Sequence, residues 1–127
     1  MNALQRAYVE RADRALDDAR YLLDRGSALA AVNRAYYACF YVAQAALVGE
    51  GEEPKTHAGT HRRFAALFVA PGTVSREVGR VLPDAFRLRL QSDYDALTNA
   101  DVSGATDLLV DAERFVAAVR SVIEAAG

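Results

Sequence analysis

Apolar residues recur every three or four positions along nearly the whole chain, a period that helices can use and strands cannot. No segment shows the two-residue alternation of a half-buried strand, and β-branched residues are sparse. The spacing predicts a first helix over Ala3–Arg25, with Leu4, Tyr8, Ala12, Ala15, Ala19 and Leu22 inward and Gly26 as its stop. A second helix over Ala28–Val48, capped by Ser27, places Val32, Tyr36, Phe40, Ala43 and Leu47 on one face. The short joint between them requires an antiparallel pair. A glycine-containing loop, 49–55, leads to a short third helix over Ala58–Val69, capped by Thr56 or Thr60, with Phe64, Leu67 and Phe68 buried. A fourth runs from Ser75 to Leu97, with a kink or break expected near Gly79–Leu82 because Pro83 removes a helical hydrogen bond. After a turn over Thr98–Gly104, Ser103 caps a fifth over Gly104–Ala125, with Leu108, Ala112, Phe115, Val119 and Val122 inward. The expected architecture is an all-α, antiparallel up-and-down helical bundle of four long helices plus one short helix.

A chain of 127 residues with 52% apolar and 25% charged residues reads as one domain, 1–127, with a full core. The net charge of −2 gives no global field for nucleic acid and leaves room only for a local basic patch. No apolar run reaches the roughly 20 residues of a membrane span, and the N-terminus lacks the pattern of a signal peptide. A cytoplasmic protein without membrane attachment is expected. The single Cys39 lies beside the apolar face of the second helix, where an inert buried thiol is expected.

The segment Arg89-Leu-Gln-Ser-Asp93-Tyr94 interrupts this greasy pattern. Leu82, Phe86, Arg89, Asp93 and Leu97 fall on one helical line, so a cation and an anion sit in an apolar stripe. Charges there are costly unless paired or used. The bland reading is an ion pair that staples the fourth helix to a polar residue of the second. The functional reading is an arginine that holds a phosphate, with Asp93 orienting it.

Two further groups invite attention. Asn33, Tyr37, Tyr41 and Gln44 form a second stripe on the second helix, either a half-buried boundary or a partner surface, with Arg34 beside it. Pro54-Lys55-Thr56-His57 precedes the third helix, and His61, Arg62 and Arg63 follow one turn later. Lys55 and the helix N-terminus favour an anion, and His57 can move protons near neutral pH. His57 and His61 are one turn apart, but no third ligand has zinc-like spacing, so neither a metal nor a cofactor is expected.

Asn33-Arg34-Ala35-Tyr36-Tyr37-Ala38-Cys39-Phe40, Pro54-Lys55-Thr56-His57 and Arg89-x-x-x-Asp93-Tyr94 occur in an order that resembles the HEPN domain (higher eukaryotes and prokaryotes nucleotide-binding) over about residues 5–120. The chain is most similar to small stand-alone bacterial and archaeal proteins of that type. The resemblance implies a helical bundle, commonly dimeric, and roles in toxin–antitoxin, phage-defence or RNA-processing systems. It implies a homodimer, an RNA or nucleotide ligand, and a nucleotidyltransferase-type antitoxin as partner. Metal-independent ribonucleases of the family carry an arginine followed, after four to six residues, by a histidine. Here the matching positions after Arg89 hold Tyr94, Asp95 and Ala96. The resemblance therefore implies an atypical or non-catalytic member, with Asn33, Arg34, Tyr37, Lys55 and Asp93 contacting a ligand or partner. The alternatives are a ribonuclease toxin in which Arg89 works with His57 or Tyr94, and a structural module without nucleic-acid chemistry.

Overall fold

The computed structural model describes residues 1–94 and 101–127, with Tyr94 described by its backbone alone. Leu97, the start of the expected turn at Thr98 and the side chain of Tyr94 lie outside the described residues. The elements are α1 (Ala3–Asp24), α2 (Ala28–Gly49), α3 (His57–Phe64), α4 (Arg76–Gly79), α5 (Val81–Tyr94) and α6 (Val102–Ala126). A π-helical turn, Ala65–Val69, extends α3. No strand occurs among the described residues. This is the expected all-α bundle, with the fourth helix divided into α4 and α5.

Helix α2 is the hub. Its buried residues include Val32, Tyr36, Cys39, Val42, Ala45 and Leu47, which cover more than half of its circumference. So wide an apolar arc must be covered by several neighbours; α1, α3, α5 and α6 all pack on it. Alanines line much of α1 and α2 (Ala12, Ala15, Ala19, Ala35, Ala38, Ala43), and each is at most 2% exposed. Small side chains let the two backbones approach closely. Larger groups, Phe64, Leu82, Phe115 and Val119, fill the space toward α3, α5 and α6.

Both ends of α2 are set by backbone hydrogen bonds. Gly26 (φ 79°) ends α1: Ser27 N–H donates to Leu22 O (2.8 Å) and Gly26 N–H to Leu23 O (2.9 Å). Gly51 (φ 77°) repeats that closure after α2, where Glu52 N–H donates to Leu47 O (3.0 Å). This is the glycine-terminated closure that satisfies a helix's last carbonyls. The second closure also turns Glu52 toward α3, where its carboxylate receives Arg63 Nε (2.6 Å) and a second guanidinium nitrogen (2.9 Å). The loop leading to α3 is thereby tied at both ends.

Several local expectations are revised. On α1 the buried line is Gln5, Val9, Ala12, Ala15, Leu16 and Ala19; Leu4 is exposed and Leu22 half-buried. Gln5 is buried because its amide donates to Ala45 O of α2 (3.1 Å) while its oxygen closes a capping box with Asn2. Ser27 makes no side-chain cap. Thr56, not Thr60, caps α3, and Asp101, not Ser103, caps α6 by accepting from Gly104 N–H (2.7 Å). Leu67 is only partly buried.

The expected break before Pro83 is present: α4 ends at Gly79 and α5 begins at Val81. Pro83 then sits in the first turn of α5, where its missing N–H costs little. Gly79 is buried because Val69 lies against it; a Cβ at that position would stand 2.6 Å from Val69 Cγ2. Valine is stiff at χ1 and has little room to yield. We expect Gly79→Ala to destabilise the protein by about 1–3 kcal/mol despite alanine's better helix propensity. Urea denaturation checks this; equal or higher stability would show that Val69 moves freely.

Candidate functional site

Tyr36 belongs to the apolar face of α2 and is fully buried. A buried tyrosine hydroxyl needs a partner, and α3 supplies two. Thr56 starts that helix by accepting from Gly59 N–H (2.9 Å), and the hydroxyl of fully buried Thr60 donates to Thr56 O (3.0 Å). That start places His57 and His61 one turn apart on the face opposite Tyr36. The Tyr36 hydroxyl lies 2.7 Å from His57 Nδ1 and 3.0 Å from His61 Nε2.

The hydroxyl has one proton to give and two lone pairs. With both imidazoles neutral, it donates to one ring and accepts from the other. Two arrangements satisfy all three groups, and they differ in whether the far nitrogen of His57, Nε2, carries a proton. The His57 ring is also held flat by neighbours: it lies 4.4 Å from the Phe40 ring at 20° and 5.5 Å from the Phe86 ring at 18°.

Arg89 comes to this cluster from α5. Its guanidinium carbon is 5.7 Å from the centre of the Tyr36 ring and 5.2 Å from that of Tyr37. Its side chain is 19% exposed, and its Nε stands 3.4 Å from Asp93 Oδ2. That contact lacks hydrogen-bond geometry, and Nε has no hydrogen-bond partner among the described residues. Asp93 balances the charge of Arg89 without saturating its donors.

The electrostatics follow. Burial lowers the pKa of His57, and the nearby Arg89 charge lowers it further. Burial and the neighbouring His57 push His61 down to about 4. Both rings are neutral at pH 7. Burial raises the Tyr36 hydroxyl above its ordinary value, so it stays protonated. The Cys39 thiol, fully buried and likewise raised, is inert as expected.

The other sequence-derived residues divide into two places. Asn33, Arg34 and Asp93 line a shallow groove of about 370 Å³ with Leu22, Leu29 and Ala30. Arg34 lies over the second face-forming tyrosine, 5.1 Å from the Tyr37 ring centre, and its Nε donates to Asn33 Oδ1 (3.2 Å). Arg89 and Tyr37 link this groove to the His57 cluster. Lys55 is elsewhere, lining a groove of about 180 Å³ with Tyr8, Gln44, Glu52 and Glu53. Tyr94 ends α5, and its side chain lies outside the described residues. Among the described residues no group of three or more His, Cys, Asp or Glu is placed to hold a metal ion. No helix of the described residues is long and apolar enough to cross a membrane.

Sequence reasoning passed over Tyr36 and gave His61 only a metal role. The signal was present: a tyrosine on a greasy stripe must satisfy its hydroxyl, and two histidines one turn apart are an available pair.

Fold and site together define a small α-helical bundle protein with an arginine–histidine–tyrosine cluster on its central helix. The profile described as HEPN domain matches residues 5–122. The chain is 36% identical over 114 residues to a UPF0332 protein of Thermotoga maritima, covering 90% of this chain and 86% of that one. It is 35% identical over 117 residues to a UPF0332 protein of Gloeobacter violaceus, covering 91% and 93%. Over 120 residues it is 32% identical to a Methanocaldococcus jannaschii protein named "Putative toxin", covering 93% and 87%. The chain belongs to the HEPN domain family.

The depressed histidine pKa values make stability pH-dependent. The unfolded chain binds protons at His57 and His61 near pH 6.5, while the folded chain resists doing so until lower pH. Stability is therefore fully present above about pH 6.5 and falls as the pH drops toward 4. The shift of His61 alone corresponds to a loss on the order of 3 kcal/mol across that window. Urea denaturation at pH 7.5, 6 and 5 should show the decline, and His61→Gln should flatten it. An unchanged slope in that variant would assign the decline to other groups.

Proposed function

We propose that this chain is an atypical HEPN protein of a toxin–antitoxin or defence-type system that acts as a homodimer and binds an RNA phosphodiester between Arg89 and His57. The supporting observation is the single Tyr36 hydroxyl that holds two neutral histidines beside an arginine whose Nε has no hydrogen-bond partner among the described residues. An arginine fork suits a phosphate's oxygens, and a half-buried site makes each contact count for more. The toxin reading is favoured by the name of the Methanocaldococcus jannaschii relative. A nucleotidyltransferase-type antitoxin is the partner that fits such a system, and a nucleotide is the smallest ligand that presents the same phosphate.

A second reading, a metal-independent ribonuclease, is favoured by the position of His57. It lacks the expected sequence spacing from Arg89, yet the fold brings it into that arginine's field. A neutral imidazole can take the proton of a 2′-hydroxyl while Arg89 stabilises charge on the phosphate oxygens. A purely structural role is less well supported, because Arg89 rests on tyrosine rings and its pair with Asp93 is loose.

The test is a single-stranded RNA oligonucleotide incubated with the protein in EDTA, followed by fluorescence anisotropy and by gel. We expect Arg89→Ala to weaken binding at least tenfold, about 1.4 kcal/mol, with the fold retained by circular dichroism. Cleavage abolished by both Arg89→Ala and His57→Ala would establish the ribonuclease. Binding without cleavage would establish the non-catalytic form. No RNA binding by the unmodified protein would overturn the RNA reading.

A further inference from the structure

We infer that a track of alternating arginine and tyrosine side chains leads away from Arg89 across α2 onto α1 and takes single-stranded RNA. This rests on the RNA reading above and extends it to Tyr41, Arg11 and Tyr8, which are outside the Arg89–His57 cluster.

The track begins where Arg89 and Arg34 both lie over Tyr37, at 5.2 and 5.1 Å from its ring centre. Tyr41 follows one turn along α2, with its ring 5.7 Å from that of Tyr37. Arg11 of α1 lies over Tyr41 (5.9 Å) and over Tyr8 (5.8 Å). Tyr8, Tyr37 and Tyr41 are half-buried and Arg11 is exposed. From Arg34 to Tyr41 is two helical turns, about 10 Å, which accommodates two or three nucleotides.

The interleaving of cations and rings selects the occupant. Some arginines elsewhere sit on carboxylates: Arg20 on Asp17, Arg63 on Glu52, Arg87 on Asp84 and Arg120 on Asp13. Among the described residues Arg11 and Arg34 have no such pair, and each lies on a tyrosine face instead. What sets this face apart is the sequence of contacts, with Arg34, Arg89 and Arg11 interleaved with Tyr37, Tyr41 and Tyr8. A polyanion whose bases can stack fits both features, because arginine neutralises phosphates while tyrosine and guanidinium planes stack on bases. Only unpaired bases can reach such rings, so the fitting polymer is single-stranded. Beyond Tyr8 the surface carries Glu52, Glu53 and Lys55, and the alternation of arginine and tyrosine ends there.

The test uses fluorescein-labelled oligouridine of 2 and 12 nucleotides in EDTA with the full chain. We expect Arg11→Ala and Tyr41→Ala each to weaken 12-mer binding at least fivefold and to leave binding of the dinucleotide, held at Arg89, unchanged. Arg11→Ala should also reduce the slope of log K against log salt by about 0.7, the value for one lost phosphate contact on a single strand. Tyr41→Leu, which keeps the apolar packing, should behave as Tyr41→Ala does and guards against misfolding. If Arg89→Ala abolishes 12-mer binding while the Arg11 and Tyr41 variants bind normally, the track is overturned and the phosphate site stands. If those variants convert a dimer into a monomer in sedimentation, a second copy covers this face and the track is overturned. If the unmodified protein binds no oligouridine, both readings fall.

Discussion

One hydroxyl organises this molecule's chemistry. Tyr36 must be buried because its ring belongs to the face of α2 that α3 and α5 cover, and its oxygen must then be satisfied from within the fold. The two nitrogens that satisfy it belong to α3. That pairing holds α3 against α2 and seats His57 flat between aromatic neighbours, and the burial that comes with it keeps both imidazoles neutral. The price is two imidazoles that resist protonation, and the stability lost in acid expresses it.

The surroundings of Tyr36 are built to hold the arrangement. The glycine closure after α2 turns Glu52 toward Arg63, and that paired contact fixes the segment that delivers Thr56 and His57. On the other side, the break between α4 and α5 lets α5 begin afresh before Pro83 and lie along α2, so that Arg89 reaches the tyrosine rings. The exposed pairs between α1 and α6, Arg120 with Asp13 and Arg20 with Glu113, contribute little by comparison. The fold depends on alanine-lined contact between α1 and α2, and the site depends on where α3 and α5 meet α2.

The fold was legible because helical periodicity carries strong, repeated information, and the glycines and Pro83 punctuated it. The caps were harder: Ser27, Thr60 and Ser103 are all acceptable cap residues, and the choice falls to whichever oxygen meets an N–H at the right angle. The inner face of α1 shifted because Gln5, polar by type, is buried through a single hydrogen bond to α2, a contact between residues forty positions apart that no local pattern encodes. The candidate site was partly legible. Arg89, Asp93, Tyr37 and His57 stood out as residues whose chemistry was not explained by packing, and the fold brings Arg89, Tyr37 and His57 around Tyr36. Lys55 is near His57 in sequence yet faces another groove, because it precedes the extended Thr56 cap while His57 opens the helix. Tyr36 itself was hidden by its apolar neighbours on the helical wheel.

No histidine follows Arg89 at four to six residues, and the two histidines of the chain come instead from α3. The central claim is that those two histidines share the Tyr36 hydroxyl as neutral rings. Nitrogen-15 NMR of the histidine side chains, titrated from pH 8 to pH 4, tests it most directly. The account predicts two neutral rings at pH 7, each locked in one tautomer or exchanging jointly, both titrating below pH 6.5, and both altered together by Tyr36→Phe. Two rings that titrate independently near pH 6.5 and ignore that substitution would contradict it.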